Sequence, residues 1–329
     1  MRYPSESASL SVALCSFNGG RFIGEQLASI ARQTQPPAEI VVCDDGSTDT
    51  TLAIVEEFAR TAPYPVRLEK HASPLGIAAN FGRAIELCSG DLIALADQDD
   101  VWEPHKLERI AAVFAADERL GMVFSDATAI DSGGDPLGYR LWAALANPFT
   151  GGERRLARRG RLIDVLLRHY VVTGATLAFR ARYRNLLLPI PTNALHDAWI
   201  AVLIGAVTPC LMIEEPLIRY RQHTTQMQGE RPLGFFDQLR AARLAGVAKL
   251  DDTAERFQAM HDRLKAARHY HVPADVLAGL AEKVDHLRTR AAMLKSGRFR
   301  LPTVLGELIR GRYRRYSHPW KWPLADLLL

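Results

Sequence analysis

Short apolar runs alternate with helically spaced apolar positions through the first hundred residues. Leu10–Ser16 reads as a strand ending at Asn18-Gly19-Gly20, and a helical spacing follows to about Gln33. Ile40–Cys43 is a second strand. It closes on Asp44-Asp45-Gly46-Ser47-Thr48-Asp49, after which Asp49 or Thr50 opens a helix carrying Leu52, Ile54, Val55 and Phe58. Val66–Leu68 predicts a third strand, Ile77–Leu87 a helix and Leu92–Ala96 a fourth strand. This alternation predicts an α/β fold, a mostly parallel sheet with helices on both faces. Open sheets of this kind bind ligands at the carboxyl ends of their strands. Three polar clusters fall there: Ser16–Asn18, Asp44–Ser47 and Asp97–Asp100.

Beyond Met122 the pattern changes. Val123–Ser125 predicts a strand, Val171–Arg180 a strand with a glycine turn, and Ala198–Ile204 a helix opened by Leu195-His196-Asp197. Leu211–Ile213 and Leu217–Tyr220 predict two short strands, and past about Pro232 the chain turns helical and charged. The longest uncharged stretch, Ala198–Ile213, is 16 residues with Gly205 and Pro209 inside it, so no spanning helix is expected. Met1–Leu10 lacks the basic flank and apolar core of a leader peptide.

The segment Ile93–Trp102 carries the densest chemistry. An apolar run ends in Asp97, Asp99 and Asp100 around Gln98. Carboxylates at i and i+2 share one side of an extended chain, so Asp97 and Asp99 are expected to converge on one ion. Hard oxygen donors suit Mg²⁺ or Mn²⁺, which complete their shell with phosphate and water. Taken alone, the segment has a solvated acidic turn as its second reading.

Composition narrows the class. The four cysteines are far apart, with no Cys-x-x-Cys pair, so zinc and a disulfide framework are not expected. Reduced thiols in a cytoplasmic protein are the simplest account. The net charge of +4 hides an asymmetry: residues 295–329 hold eight Lys/Arg against Glu307 and Asp326, a local +6 that leaves −2 for the rest. A second basic cluster comprises Arg154, Arg155, Arg158, Arg159, Arg161 and Arg168.

Several segments then fit one family in order: Ser11–Gly19, Val41–Asp49, Leu95–Trp102, Thr173–Thr176, His196–Trp199 and Tyr220-Arg221-Gln222-His223. The chain resembles the inverting family-two glycosyltransferases over about Leu10–Gly229, and within them the rhamnosyltransferase-type members. The resemblance implies a GT-A fold, a Rossmann-like nucleotide-sugar-binding domain over 1–231, with a basic helical extension over 232–329. It implies that Asp45 accepts the N3–H of a uracil or thymine ring and that Asp44 supports that pocket. Ser16, Asn18, Asn80 and Gln98 would surround the nucleotide, with Asp97 on the ribose or a metal-bound water and Arg221 on the diphosphate. Asp99 would hold a divalent metal, Mn²⁺ or Mg²⁺, and His223 the metal or the diphosphate. Asp197 would be the base that deprotonates the acceptor, His196 standing where the family commonly has Glu; Asp197 also reads as a helix N-cap. Thr173, Gly174, His196, Trp102 and Trp199 would line the sugar and acceptor pocket, the two tryptophans reading also as core.

The implied partners are a nucleoside-diphosphate sugar and a glycan or polyprenyl-linked acceptor, with no nucleic acid. The mix of Arg, Tyr and Trp from Arg310 to Leu324 suits an anionic membrane surface, so a cytoplasmic protein peripheral to the membrane is expected. Three other readings stay open on the residues: a sugar-nucleotide nucleotidyltransferase, a haloacid-dehalogenase-type phosphatase and a non-catalytic nucleotide- or nucleic-acid-binding protein. The first wants a glycine-rich phosphate loop that Ser16–Phe22 matches poorly, the second Asp-x-Asp where Asp44-Asp45 are adjacent. The third lacks an RNA-binding signature.

Overall fold

The computed structural model describes residues 8–223, 235–296, 300–317, 319 and 321–328, and of 235–245 and 328 the backbone alone. In order, the first elements are β1 (Leu10–Ser16), α1 (Ile23–Ala31), β2 (Glu39–Asp44), α2 (Thr51–Thr61), β3 (Val66–Lys70), α3 (Ile77–Leu87), β4 (Leu92–Asp97), β5 (Val101–Trp102) and α4 (Lys106–Ala116). Then come β6 (Met122–Ile130), β7 (Pro136–Arg140), α5 (Leu141–Ala144), α6 (Gly151–Arg158), α7 (Leu162–Leu166), β8 (Leu177–Arg180), α8 (Arg184–Leu187), α9 (His196–Val207) and β9 (Cys210–Arg221). The elements described after β9 are helices: α10 (Phe235–Ala266, broken at Gly246), α11 (Ala274–Ser296), α12 (Arg300–Ile309), α13 (Arg312–Tyr316) and α14 (Lys321–Leu328).

Among the described residues nine strands form one sheet in the order β3-β2-β1-β4-β8-β6-β9-β5, with β7 paired to β6. The half built from β3, β2, β1 and β4 is parallel, and β8, β7 and β5 run antiparallel to their neighbours. β1 is buried along its whole length, and its apolar residues accordingly form a continuous run rather than an alternation. The chain leaves β1 toward β2 and β3, then returns to pair β4 on the other side. That reversal places the topological switch point at the carboxyl ends of β1 and β4.

Three expectations need correction. Val171–Arg180 is strand only from Leu177; Gly174–Thr176 is a 3-10 turn held by Thr176 donating to the Thr173 carbonyl. Leu211–Ile213 and Leu217–Tyr220 are one long strand, β9, which follows β6 through register shifts near Asp126. The two-residue β5 and the helix α4 after it were not anticipated. All four cysteines are free, three of them buried.

Contacts divide the chain into two compact units. One comprises Met1–Ala143, Val172–Ile204 and Thr208–Glu230; the other comprises Ala144–Val171, Gly205–Val207 and Arg231–Leu329. The arginine-rich mid-chain segment therefore belongs with the C-terminal helices. There Glu153 closes a capping box with Thr150 at the start of α6 and accepts from Arg168 (2.8 Å) and His169 (3.0 Å). Burial raises its pKa, but the His169 contact and the Thr150 bonds outweigh it and hold it down to about 2. In α11–α14, Arg290 grips the Asp326 carboxylate, His286 bridges Glu307 and Ser317, and Lys283 donates to the Tyr316 carbonyl. Among the described residues, no helix is long and apolar enough to cross a membrane.

Candidate active site

The polar clusters at the ends of β1, β2 and β4 are tied to one another. Asp44 accepts from Ser16 Oγ (2.7 Å) and from the backbone and hydroxyl of Ser47 (2.7 and 2.6 Å), so it is a buried brace between two loops. Asn18, held at φ 47°, accepts from the Thr48 backbone at 2.9 Å while its own N–H donates to Ser47 Oγ. Gln98 clamps Phe17 by a pair of bonds, accepting from its N–H (2.9 Å) and donating to its carbonyl (3.1 Å). Gly19 permits that clamp: a Cβ there would lie 2.0 Å from Gln98 Oε1.

Asp45 lies at the mouth of the β2 loop. Its two oxygens accept the backbone N–H groups of Leu75 (2.6 Å) and Gly76 (3.0 Å), which lead into α3. Each oxygen keeps lone-pair capacity for a further donor. Asn80, on α3, is buried and donates to the Cys43 carbonyl at 3.0 Å, while its Oδ1 has no partner. It braces β2 from beneath.

The acidic motif converges by a different route from the one expected. β4 stops at Asp97 and the chain turns at Gln98 and Asp99, so these carboxylates do not share one side of an extended strand. The turn still brings them together. Burial, then the charges of Asp99 and Asp197, push the Asp97 carboxyl up to about 7. Asp197 thus acts on Asp97 across a hundred residues of sequence. Asp100 is fully buried and raised well above the usual range, first by burial and then by Asp99 and Asp97.

Asp99 is held from two sides. His223 Nε2 lies 2.8 Å from its Oδ2, and Arg221 Nε donates to its carbonyl at 2.7 Å. The Arg221 backbone N–H also donates to Asp100 Oδ1 at 3.0 Å. The remaining donors of Arg221 reach the Asp131 and Ser132 carbonyls and Glu25 Oε2 (2.5 Å), and the side chain is 1% exposed. Arg221 therefore positions the acidic turn instead of presenting a free guanidinium.

Lys106 is the site residue that sequence reasoning missed. Its ammonium is fully buried, donates to the Ala175 carbonyl at 2.8 Å and sits 3.6 Å over the Trp102 ring. Burial pulls its pKa down to about 7 against the opposing charges of Asp100 and Asp97. It links the acidic turn to the Gly174–Thr176 segment. Its position at the start of a helix, four residues past a tryptophan, looks in sequence like any solvated lysine.

On the far side, α9 carries Asp197 in its first turn, with Leu195 as the N-cap residue. The capping role considered for Asp197 is thereby corrected, although its Oδ1 still accepts the next backbone N–H at 2.7 Å. His196 stacks on Phe81 with ring centroids 4.0 Å apart, and Gly174 fits against its edge. Thr173 stands beside this pair, its carbonyl taken by Thr176.

The two tryptophans are core. Trp102 is 2% and Trp199 1% exposed, the latter donating Nε1–H to the Leu187 carbonyl at 2.9 Å. Neither presents a face to a sugar, which corrects the expectation that they line the pocket. Burying such large apolar rings beneath the site stabilises it more than exposing them would.

Among the described residues no three side chains already form a metal cage. The pair Asp99 Oδ2 and His223 Nε2, one hard oxygen and one imidazole nitrogen 2.8 Å apart, fits a divalent ion that draws its other ligands from phosphate and water.

A family model described as "Glycosyl transferase family 2" matches residues 11–187, more than half of the chain. The chain belongs to glycosyl transferase family 2. An uncharacterized glycosyltransferase of Nostoc sp. is 32% identical over 114 residues, 35% of either chain. The dTDP-rhamnosyl transferase RfbG of Shigella flexneri is 37% identical over 99 residues, 29% of this chain and 34% of its own. Mycobacterial relatives align over 224 residues, 59% of their length, so the chain spans only part of the curated relatives it matches. The S. aureus TarS fragment 1–349, solved with UDP-GlcNAc, shares the fold at 16% identity with a TM-score of 0.56, covering 92% of each chain. The Pyrobaculum calidifontis mannosyltransferase PcManGT, solved with GDP-Man and Mn²⁺, does so at 18% identity and a TM-score of 0.53, over 98% of this chain and 85% of its own.

Proposed function

We propose that this glycosyltransferase moves a sugar with inversion from a dTDP- or UDP-sugar to a hydroxyl of a glycan or polyprenyl-linked acceptor in cell-surface polysaccharide synthesis. One observation carries the reading: Asp45 and Asp99, the latter paired with His223, stand on the loops that follow the parallel strands β2 and β4. L-Rhamnose is the first donor sugar to test, supported by the likeness to RfbG and by the Asp-Gln-Asp-Asp-Val-Trp segment.

The nucleoside would lie over β1 and β2, its base N3–H on Asp45 and its ribose toward Asp97. Asp99 and His223 would hold a divalent ion, Mn²⁺ or Mg²⁺, whose chemistry is to neutralise the leaving diphosphate. PcManGT, solved with Mn²⁺, supports this assignment. Arg221 fixes the Asp99 carbonyl and the Asp100 carboxylate, and Lys106 offsets the surplus negative charge from below. Asp197 takes the proton from the acceptor hydroxyl as that oxygen attacks the anomeric carbon, in one displacement without a covalent glycosyl-enzyme.

The test is a thermal-shift panel with dTDP, UDP, GDP and CDP, each with and without Mn²⁺, on wild type and Asp99→Ala. A ligand bound only to the native state raises the melting temperature by mass action. Stabilisation by dTDP or UDP that needs Mn²⁺ and vanishes in the variant is the expected result. No shift with any nucleotide from folded wild type would overturn the reading.

A further inference from the structure

Six of the eleven large hydrophobic side chains exposed among the described residues lie between 301 and 327. Four are on α12: Leu301 is 57%, Leu305 47%, Leu308 41% and Ile309 86% exposed. At 100° per residue they fall within about 100° of arc, along a helix about 15 Å long. Val304, on another side of the helix, packs inward with Met293 and Tyr313. The α12 stripe is therefore an outer face of a helix already anchored to its bundle. On α14, which packs against α12, Leu324 and Leu327 are 41% and 38% exposed.

The exposed charge of α12–α14 themselves is basic, and the neighbouring α11 carboxylates Glu282 and Asp285 pair with Arg315 and Arg312. Both acidic residues of the span from 300 to 328, Glu307 and Asp326, are 1% exposed and hold buried partners. The basic side chains point out: Arg310 and Arg315 are 65% and 68% exposed despite their ion pairs, and Arg314 is exposed as well. An apolar stripe on elements whose exposed charges are arginines, and whose own carboxylates are turned inward, suits a surface that is hydrocarbon beneath and anionic above. The span from 300 to 328 carries six Lys/Arg against two acidic residues, so a second copy would set two net-positive surfaces together and the charge favours lipid.

We infer that the outer face of α12, with Leu324 and Leu327 of α14, docks this protein flat on an anionic lipid bilayer, the leucines entering the acyl boundary and Arg310, Arg314 and Arg315 lying at the phosphates. The inference needs no particular donor sugar, and its readout is independent of transfer.

The experiment is co-sedimentation of the full chain with vesicles of phosphatidylcholine, alone or with about a third phosphatidylglycerol. Wild type pellets with the anionic vesicles and much less with the neutral ones. Leu305→Glu/Ile309→Glu lowers binding at least tenfold while keeping the wild-type melting temperature, since both side chains are exposed. Arg314→Gln and Arg315→Gln each lower it roughly fivefold, about 1 kcal/mol per basic residue near an anionic surface. Failure of wild type to pellet, or equal pelleting of Leu305→Glu/Ile309→Glu, would overturn the inference. So would a wild-type dimer in light scattering that the double variant dissolves without vesicles having bound, because the face would then be covered by a second copy.

Discussion

Adding a single methyl group at Gly174 tests whether the acceptor side of the site is rigidly built. A Cβ there would lie 2.5 Å from His196 Nε2, 3.3 Å from Cε1 and 3.5 Å from Cδ2. The nearest approach falls about 1 Å short of ordinary van der Waals separation. The imidazole has little room to retreat, because the Phe81 ring lies almost parallel to it at 4.0 Å and is itself buried. Overpacking of this kind costs about 1–3 kcal/mol. Gly174→Ala should therefore lower the melting temperature by roughly 4–8 °C, taking about 2 kcal/mol and the scaling for a domain of this size. His196 is the first residue of α9 and Asp197 the second, so relief of the clash moves the proposed base. A displacement of about 1 Å in a reacting group costs on the order of 100-fold in rate. The assays are thermal melting and kcat for nucleoside-diphosphate release in the presence of acceptor. In Gly174→Ala/His196→Ser the ring is gone, so most of the lost stability returns; the coupling should exceed about 1 kcal/mol. Unchanged melting and kcat in Gly174→Ala, or additive effects in the double variant, would refute the reasoning.

Asp197→Asn should cut transfer by about 10²–10⁴-fold, the usual share of a general base, while leaving the nucleotide-induced thermal shift intact; lost nucleotide binding would place Asp197 on the donor side instead. Arg221→Met removes the bonds to the Asp99, Asp131 and Ser132 carbonyls and to the half-exposed Glu25, so urea unfolding should show a loss of about 2–4 kcal/mol. A loss below 1 kcal/mol would mean that water replaces these contacts. Asp97, with a folded pKa raised to about 7, holds its proton in the native state where the unfolded chain has already released it. Its contribution to stability therefore declines as pH rises from about 4 toward 7, by up to about 4 kcal/mol. In metal-free protein Asp97→Asn should thus gain on wild type between pH 5 and 7 in paired urea titrations. A difference that stays flat or shrinks would contradict the raised pKa.

Much of the first unit was legible because local physics and tertiary demand agree there. β1 runs over Leu10–Ser16 and α3 over Ile77–Leu87 as the apolar patterning had them, and the three polar clusters stand at strand ends. A parallel strand buried on both faces must be a continuous apolar run, and a turn beyond it must be polar, so these features are written residue by residue. Where the expectations failed, the deciding partner was distant in sequence. β5 is two residues long and exists because Val101 and Trp102 pair with Arg219 and Ile218 of β9. The two short runs after Leu211 fuse into β9 because β6 pairs along their whole length.

The chain alone named the chemistry of the site: three carboxylates closing a strand, an Asp-Asp-Gly-Ser turn and a His-Asp pair opening a helix. Its patterning also fixed which strand ends would carry them. Only the tertiary structure decided what each side chain does. It sank Trp102 and Trp199 into the core, engaged every guanidinium nitrogen of Arg221 with protein groups, and drew Lys106 under the acidic turn. It also set Asp197 close enough for its charge to reach Asp97. The physical reason is that burial and Coulomb interaction depend on distances through space, and those distances are set by pairing and packing between residues far apart in the chain.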